Sequence, residues 1–331
     1  MGRLSYTDDS KPGITRKKMG HGWGYWSPDG KRITDRDEID RLNAIGLPPA
    51  YKDAWFSPKP GGHIQAVGWD DKGRKQYRYH VDYRSKQDSS KYELTREFGE
   101  ALPKLRKQIE ADLNTRSLNK ERAVAAVIRL LDISHIRVGN ESYVKSGKSF
   151  GATTLRTRHG KVSGHTLKLC FKGKSGKERT CAMTDRALAR FVKACSDLDD
   201  QHLFAWLDEA GEAHPVTSSD VNAYIRDATG TEFTAKHFRT WAASVTAFEA
   251  LGSAAHDLTL KALMEPVVAK LGNTAAIARK SYVHPRLIDL VQRGQTRFRS
   301  SLKLPRSNRW LSAHERGLIK FLGGRAPAKA A

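Results

Sequence analysis

Long apolar runs and paired cysteines are both missing from this chain of 331 residues. No stretch of about 18 apolar residues occurs, which excludes a transmembrane helix. The first nine residues contain no apolar segment, so no secretory signal is expected. The three cysteines, Cys170, Cys181 and Cys195, form neither a CxxC pair nor an even set. They indicate a reducing compartment, and neither a zinc site nor a disulfide framework is expected.

The short motifs of several enzyme classes are missing too. The sequence contains no GxxxxGK[ST], no GxGxxG after a predicted strand, no HExxH and no GxSxG. Its 12 histidines are scattered, and none has a convincing metal-ligand spacing. Nucleotide-driven motors, zinc hydrolases and serine esterases are therefore disfavoured.

Negative charge is scarce relative to positive charge. The chain has 58 Lys plus Arg against 36 Asp plus Glu, a net charge of +22, which indicates a polyanionic partner and nucleic acid first. Twelve of the cations, against two acidic residues, lie between Ala276 and Arg325. Because ordinary surfaces mix both signs of charge, this basic segment is expected to contact nucleic acid.

Apolar periodicity separates a β-rich beginning from a helical remainder. Two hairpins are predicted in the first part, one at 23–33 around the turn 27–30 and one at 63–80 around the turn 70–73. From Glu93 to Leu113 the apolar residues recur every three or four positions, which is typical of a helix that Pro103 would kink or interrupt. The polar segment 85–90 is the expected linker.

One β-hairpin is predicted inside the helical part, where an alternating segment at 166–171 and a returning strand at 178–183 flank the turn 173–176. The fold class predicted is therefore α+β. It comprises a small β-rich N-terminal domain at 1–88 and a larger, mostly helical domain at 89–322. A flexible tail follows at 323–331.

A tyrosine and several cations stand out in the helical part. In chain order they are Arg137 after an apolar helical stripe, Lys174 at the hairpin turn, Lys236 and Arg239 three residues apart, Asn273, and Tyr282 nine residues later. A tyrosine hydroxyl can attack a phosphodiester and hold it as a phosphotyrosyl ester. Guanidinium groups can clamp the non-bridging oxygens, and a lysine can protonate the leaving oxygen. These residue types suit DNA strand cleavage.

The order of these residues resembles the catalytic constellation of the type IB DNA topoisomerases, most closely that of the short poxvirus-like bacterial branch. The segments that carry the resemblance are IRVGNE at 136–141, FKGKSGK at 171–177, KHFRTW at 236–241, GNT at 272–274, SY at 281–282 and, in the N-terminal part, GRKQYRY at 73–79. The viral members have His where this chain has Asn273.

The resemblance implies a role for each matched residue. Tyr282 is the expected nucleophile, which forms a 3′-phosphotyrosyl intermediate while the DNA rotates and is then resealed. Arg137, Arg239 and Asn273 are expected to hold the scissile phosphate. Lys174 is the expected general acid, with Arg137 assisting the proton relay. Asn273 carries no proton to give, so phosphate binding suits it and acid catalysis does not.

The resemblance also implies partners and cofactors. Lys236 is expected to support phosphate binding, and Gln76, Tyr77 and Tyr79 are candidates for groove contacts with duplex DNA. The two domains are expected to close around DNA as a C-shaped clamp. No metal, no ATP and no other cofactor is expected, because cations take the place of a metal pair and the phosphotyrosyl bond conserves the diester energy. A cytoplasmic, nucleoid-associated monomer without membrane contact is expected.

Two alternatives stay open at this point. A tyrosine recombinase has similar catalytic cations, but such enzymes usually show His-x-x-Arg where this chain has Lys236 and Arg239, and a second His or Trp where it has Asn273. A non-enzymatic, basic nucleic-acid coat protein explains the net charge of +22. It leaves unexplained the ordered series that ends at Tyr282.

Overall fold

The computed structural model describes residues 4–20, 22–71, 73–198 and 201–324, without the side chains of 85–91 and 146. The chain forms two compact units, Met1–Lys91 and Tyr92–Ala331. Of the predicted tail 323–331, residues 325–331 lie outside the described residues. The predicted fold class is confirmed: the first unit is a small antiparallel sheet and the second is mostly helical.

In its described residues, the first unit contains five strands and one helix of its own. These are β1 (Ile14–Met19), β2 (Gly22–Trp26), α1 (Arg36–Ala44), β3 (Lys52–Phe56), β4 (Ile64–Trp69) and β5 (Lys75–Tyr79). All neighbouring strands are antiparallel, in the order β2-β1-β3-β4-β5. Tyr25, Leu42 and Phe56 are among the residues of its small core.

The two N-terminal hairpin predictions have different outcomes. The second is confirmed, because β4 pairs with β5 from Ile64 and Tyr79 to Trp69 and Lys75. The first is confirmed only as one antiparallel bridge around the predicted turn, Trp26 to Arg32, and the long partner of β2 is β1 instead. Strand β1 itself was not predicted, because its sequence ITRKKM has only one residue buried.

Helix α2 (Val81–Leu113) leads from the first unit into the second. The segment 85–90, predicted as a linker, is part of this helix, and the helix is not interrupted at Pro103. A proline inside a helix costs about 3 kcal/mol. Phe98, Leu102 and Leu105 are almost completely buried on both sides of Pro103, and this burial outweighs the cost.

The remaining elements belong to the second unit. They are α3 (Lys120–Ser134), α4 (Glu141–Gly147), β6 (Gly160–Ser163), β7 (Thr166–Lys172), β8 (Glu178–Thr184), α5 (Arg186–Cys195), β9 (Ala205–Leu207), β10 (Ala213–Pro215), α6 (Ser218–Thr229), α7 (Ala235–Ser253), α8 (Leu260–Leu271), α9 (Ala275–Ser281), α10 (Pro285–Gln292), α11 (Gln295–Ser301) and α12 (Ala313–Gly323). The predicted hairpin is confirmed as β7 and β8, which pair from Thr166 and Thr184 to Lys172 and Glu178.

Helix α3 forms the centre of the second unit. Ten of its residues are buried, and it packs against α5, α6, α7, β8 and β9. Its end is therefore fixed from several sides, and Arg137 follows three residues later. In the described part of the chain, no helix combines the length and the apolar content needed to cross a membrane.

The basic segment at the C-terminal end is partly engaged within the protein. Arg286 donates to the carbonyl oxygen of Leu322 at 2.9 Å, and Arg309 donates to Glu110 at 2.9 Å. Helix α12 is joined to α7 because Glu315 accepts from the indole of Trp241 at 3.0 Å. We therefore expect only those cations of this segment that are not bonded within the protein to contact nucleic acid.

Candidate active site

Arg137 stands on a backbone that is held from two directions. Helix α3 ends at His135, which has a left-handed backbone with φ of 53°. The carbonyl of Arg137 then accepts from the amide of Ala152 at 2.8 Å. A Cβ atom on Gly151 would lie 2.6 Å from that same carbonyl oxygen, so only glycine fits there. Loss of solvation, helped by the charge of Lys270, lowers the pKa of His135 to about 4, which leaves its ring neutral.

Arg239 lies in the second turn of α7 and is only 4 % exposed. Its Nη1 donates to the carbonyl of His135, and its Nη2 donates to the carbonyl of Leu271 at 3.2 Å. Its Nε has no hydrogen-bond partner among the described residues. Burial, and then the charge of Arg137, lowers the pKa of this guanidinium, yet an arginine stays protonated at neutral pH. A fixed positive charge therefore lies inside the protein.

Asn273 occupies the short connection between α8 and α9 and is 6 % exposed. Its Oδ1 accepts from Nη2 of Arg137 at 2.5 Å and from Nη2 of Arg239 at 3.1 Å. Its Nδ2 is buried without a partner in the described part of the chain. The asparagine thus bridges two guanidinium groups and keeps one donor available.

Tyr282 follows α9, and its backbone is fastened to α7. Its carbonyl accepts from Oγ of the fully buried Ser244 at 3.3 Å, and the same Oγ accepts from the amide of His284 at 3.1 Å. The guanidinium carbon of Arg239 lies 5.1 Å from the centre of the tyrosine ring. The positive charges of Arg239 and Arg137 both act on the phenol.

The positive surroundings change the acidity of Tyr282. Burial raises the pKa of its phenol, but the charge and hydrogen bond of Arg239, with the charges of Arg137 and Lys236, outweigh burial and bring the pKa below its usual 10. An easier loss of the phenolic proton makes the oxygen a better nucleophile at neutral pH. Lys236 itself is exposed in the first turn of α7.

Lys174 differs from these residues. It is exposed at the tip of the β7–β8 hairpin, next to Ser175, whose φ is 64°. Within the described ranges its side chain makes no hydrogen bond and no ion pair. Four predicted site residues are thus brought together, namely Arg137, Arg239, Asn273 and Tyr282. Lys236 acts on Tyr282 electrostatically, and Lys174 is not in contact with the group.

The sequence analysis missed three residues around the site. His135 contributes a backbone carbonyl, and Ser244 holds the backbone on both sides of Val283. Arg179 adds a further positive charge that acts on Arg137 and Arg239. Only Ser244 left a signal, because it is a polar residue inside the apolar helical run 241–248.

The candidate groove residues lie on β5 in the first unit. Tyr77 and Tyr79 are 37 % and 41 % exposed, and their rings stack with centres 5.8 Å apart. Gln76 lies on the opposite face of the strand, because side chains alternate along it, and donates to Asp70 at 3.1 Å. The two tyrosines thus share an exposed face that Gln76 does not share.

One group of potential metal ligands occurs among the residues described. Ligand atoms of Asp208, Glu212 and His214 lie within 4.8 Å of one another at the β9–β10 turn. Asp208 already accepts from His214 at 2.7 Å and from the amides of Ala210 and Glu212. These residues do not belong to the group around Tyr282.

The chain is similar to known proteins over most of its length. A family model described as the catalytic core of eukaryotic DNA topoisomerase I matches residues 80–282, and one described as the N-terminal domain of bacterial DNA topoisomerase IB matches residues 22–70. DNA topoisomerase 1B of Acanthamoeba polyphaga mimivirus is 32 % identical over 294 residues, which are 85 % of this chain and 88 % of that protein. The chain belongs to the type IB DNA topoisomerase family.

Membership of the type IB topoisomerases makes the chain an enzyme and sets aside the recombinase and coat-protein alternatives. DNA topoisomerase 1 of Mycosarcoma maydis is a more distant relative, 24 % identical over 201 residues, which are 54 % of this chain and 20 % of that protein. A structure of the XerH site-specific recombinase bound to difH substrate has a TM-score of 0.37 and 20 % identity, covering 58 % of this chain and 52 % of that one. This weak likeness supports no conclusion.

Proposed function

We propose that Tyr282 is the nucleophile with which this type IB topoisomerase cleaves one strand of duplex DNA. Its phenolic oxygen attacks the phosphorus, the bond to the 5′ oxygen breaks, and the strand is held as a 3′-phosphotyrosyl ester. The phenol gives up its proton, and the departing 5′ oxygen takes one up. One ester replaces another, so no ATP is consumed. Torsion in the DNA drives rotation before the 5′ hydroxyl reverses the attack.

The observation that carries this proposal is the position of Tyr282 beside Arg239, which Asn273 joins to Arg137. The guanidinium carbon of Arg239 lies 5.1 Å from the ring centre, and the charges of Arg239 and Arg137 lower the pKa of the phenol against the opposing effect of burial. A tyrosine that only filled the core would not require one buried and one half-buried arginine nearby. Taking a guanidinium out of water is costly and is tolerated where the charge serves a purpose.

Arg137, Arg239 and Asn273 are proposed to hold the scissile phosphate. Two of their buried donors, Nε of Arg239 and Nδ2 of Asn273, lack a partner among the described residues. An unsatisfied buried donor costs about 1–3 kcal/mol. Non-bridging phosphate oxygens would satisfy such donors and gain most from them as negative charge develops in the transition state.

Lys174 is proposed to protonate the 5′ oxygen. Its place at an exposed hairpin tip supports the role, because a proton donor has to reach the side of the phosphate opposite the attacking tyrosine. Arg137 assists the relay. Lys236 supports binding of a phosphate and also lowers the pKa of Tyr282.

Duplex DNA is the proposed substrate, and the net charge of +22 supports it. Tyr77 and Tyr79 on one face of β5, and Gln76 on its other face, are proposed to contact DNA grooves. The division into 1–88, 89–322 and 323–331 is kept as the domain proposal, in which each of the first two domains binds duplex DNA. We expect a monomer that acts on the nucleoid in the cytoplasm without a metal ion.

A Tyr282→Phe variant tests the nucleophile. It removes one oxygen, so we expect unchanged DNA binding, no covalent protein–DNA adduct on a denaturing gel and no plasmid relaxation. Tyr224→Phe is the matched control, because the Tyr224 hydroxyl bonds Asp112 at 2.5 Å and does not contact Tyr282. It should form the adduct at the rate of the unaltered enzyme. An adduct formed by Tyr282→Phe would disprove the assignment.

A further inference from the structure

Arg179 joins the lysine-bearing hairpin to the segment that carries Asn273. It is the second residue of β8 and pairs with Phe171 across the hairpin, five residues after Lys174. Its Nη2 donates to the carbonyl of Lys270, near the end of α8, at 3.2 Å. Of the described side chains on this hairpin, Arg179 is the one that hydrogen-bonds the α8–α9 segment.

The guanidinium of Arg179 occupies the space beside Gly272 that a side chain would need. A Cβ atom on Gly272 would lie 2.0 Å from Nη1 and 2.7 Å from Cζ of Arg179. Gly272 also has a left-handed backbone with φ of 66°, the usual end of a helix. The guanidinium thus packs on the residue directly before Asn273.

The charge of Arg179 is unfavourable at this place. Repulsion from Arg179 contributes to the lowered pKa of Arg137 and Arg239, after the larger effect of their burial. The last carbonyls of a helix lack internal partners and carry partial negative charge, and one of them accepts from Arg179. A third cation beside two others, held by such a contact, indicates a purpose other than stability.

We propose that Arg179 is a positioning residue that fastens the hairpin to the end of α8 and thereby places Lys174 at the departing 5′ oxygen. The inference rests on the proposed function of Lys174 as general acid. Lys174 has no contact of its own that would place it, as far as the described residues extend. Arg179 fastens the hairpin that carries Lys174 to Gly272, which directly precedes the proposed phosphate ligand Asn273. The position of the acid relative to the phosphate is therefore fixed.

The test compares two DNA substrates that differ in one atom. Sulfur in place of the 5′ bridging oxygen leaves readily without a proton, so a defect in acid catalysis disappears on the sulfur substrate. Single-turnover cleavage of ordinary DNA by Arg179→Ala should fall by roughly 10–10²-fold, part of the contribution of a placed general acid. Cleavage of the sulfur substrate should stay within about threefold of the unaltered enzyme.

Two further variants sharpen the test. Adding Arg179→Ala to Lys174→Ala should slow ordinary cleavage by less than about twofold, because a positioning residue has nothing left to position. Lys168→Ala is the matched control, since Lys168 is an exposed cation on β7 of the same hairpin and its loss changes the net charge equally. It should cleave both substrates at the unaltered rate.

The outcomes distinguish failure of this inference from failure of the proposed function. Arg179→Ala as active as Lys168→Ala on ordinary DNA would overturn the positioning role. An equal defect on both substrates would also overturn it and would assign Arg179 to the phosphate. If Lys174→Ala itself were equally slow on both substrates, the acid role would fail, and the inference with it. Absence of a Tyr282 adduct in the unaltered enzyme would instead reject the nucleophile.

Discussion

Arg239 and Lys174 are two cations proposed to act on one phosphodiester, and the protein holds them in opposite ways. Arg239 is 4 % exposed, and the carbonyls of His135 and Leu271 and the amide of Asn273 fix its guanidinium. Lys174 is exposed at a hairpin tip and has no described partner. The buried group is assembled without DNA, whereas the hairpin tip depends on where its strand is fastened.

This difference corresponds to two kinds of catalysis. Stabilising the charge of a transition state requires donors that are already fixed, because reorganising them during the reaction would cost free energy. Donating a proton requires a group that can reach the departing oxygen and that carries an exchangeable hydrogen. A flexible lysine ammonium group meets both requirements. We therefore expect substitutions in the buried group to act whichever atom leaves, and substitutions at the tip to depend on the leaving atom.

The largest reduction of the cleavage rate short of complete loss is expected for Lys174→Ala, which removes the proposed proton donor at the hairpin tip. Cleavage of ordinary DNA should slow by roughly 10²–10⁴-fold, the usual contribution of a general acid. A substrate with sulfur at the 5′ bridging position should be cleaved nearly as fast as by the unaltered enzyme. Single-turnover adduct formation measures both rates. Equal defects on the two substrates would make Lys174 an electrostatic group, and Arg137 would be the next candidate for the acid.

Arg239→Ala tests the buried group by removing its guanidinium. Its cleavage rate should fall by about 10²–10³-fold on the ordinary and the sulfur substrate alike, because the guanidinium acts on the non-bridging oxygens. Arg239→Lys should recover little, since an ammonium cannot bond His135, Leu271 and Asn273 together. Arg226→Ala removes a cation whose nearest acidic partner, Glu232, lies 4.0 Å away at the surface, and should change neither rate. Full recovery by Lys would mean that charge alone matters.

Much of this arrangement could be predicted from the sequence, and the limits have physical causes. The helical period revealed the buried stripe of α2, and local alternation revealed the β7–β8 hairpin, because both depend on near neighbours in the chain. Strand β1 was not predicted because it forms by pairing with β2 and β3 and has no alternating apolar pattern of its own. The contact of Arg179 with Gly272 joins residues 93 positions apart, a distance that no spacing rule covers.

The site also has a part that could be predicted from the sequence and a part that could not. Residue types and their order predicted Arg137, Arg239, Asn273 and Tyr282, which the fold brings into one group. The backbone carbonyl of His135 could not be predicted, because every residue has a carbonyl and its use depends on the left-handed end of α3.

Asn273→Asp separates the two functions of a single side chain in the buried group. The carboxylate keeps the acceptor for Arg137 and Arg239 but replaces the unpartnered Nδ2 donor with a negative oxygen, which repels phosphate. We expect cleavage to slow by about 10²-fold, the scale of losing one preorganised donor. Asn273→His should retain substantial relaxation, because its ring can still donate to a phosphate oxygen. A dead His variant beside an active Asn273→Ala would remove the phosphate-binding role.

The smallest effect on the cleavage rate is expected for Lys236→Ala. Lys236 combines features of both cations, because it is exposed like Lys174 and its charge acts on Tyr282 like that of Arg239. The positive charge of Lys236 helps to lower the pKa of the phenol, so its removal raises that pKa. We expect the rate of cleavage to increase with pH as the phenol loses its proton, and the pH profile of the variant should therefore be displaced to higher pH. The loss should be several-fold near neutral pH, roughly the effect of one exposed charge, and should shrink as the pH rises. Lys236→Arg should restore the original profile. A loss of the same size at every pH would leave Lys236 a phosphate contact alone, without an effect on the nucleophile.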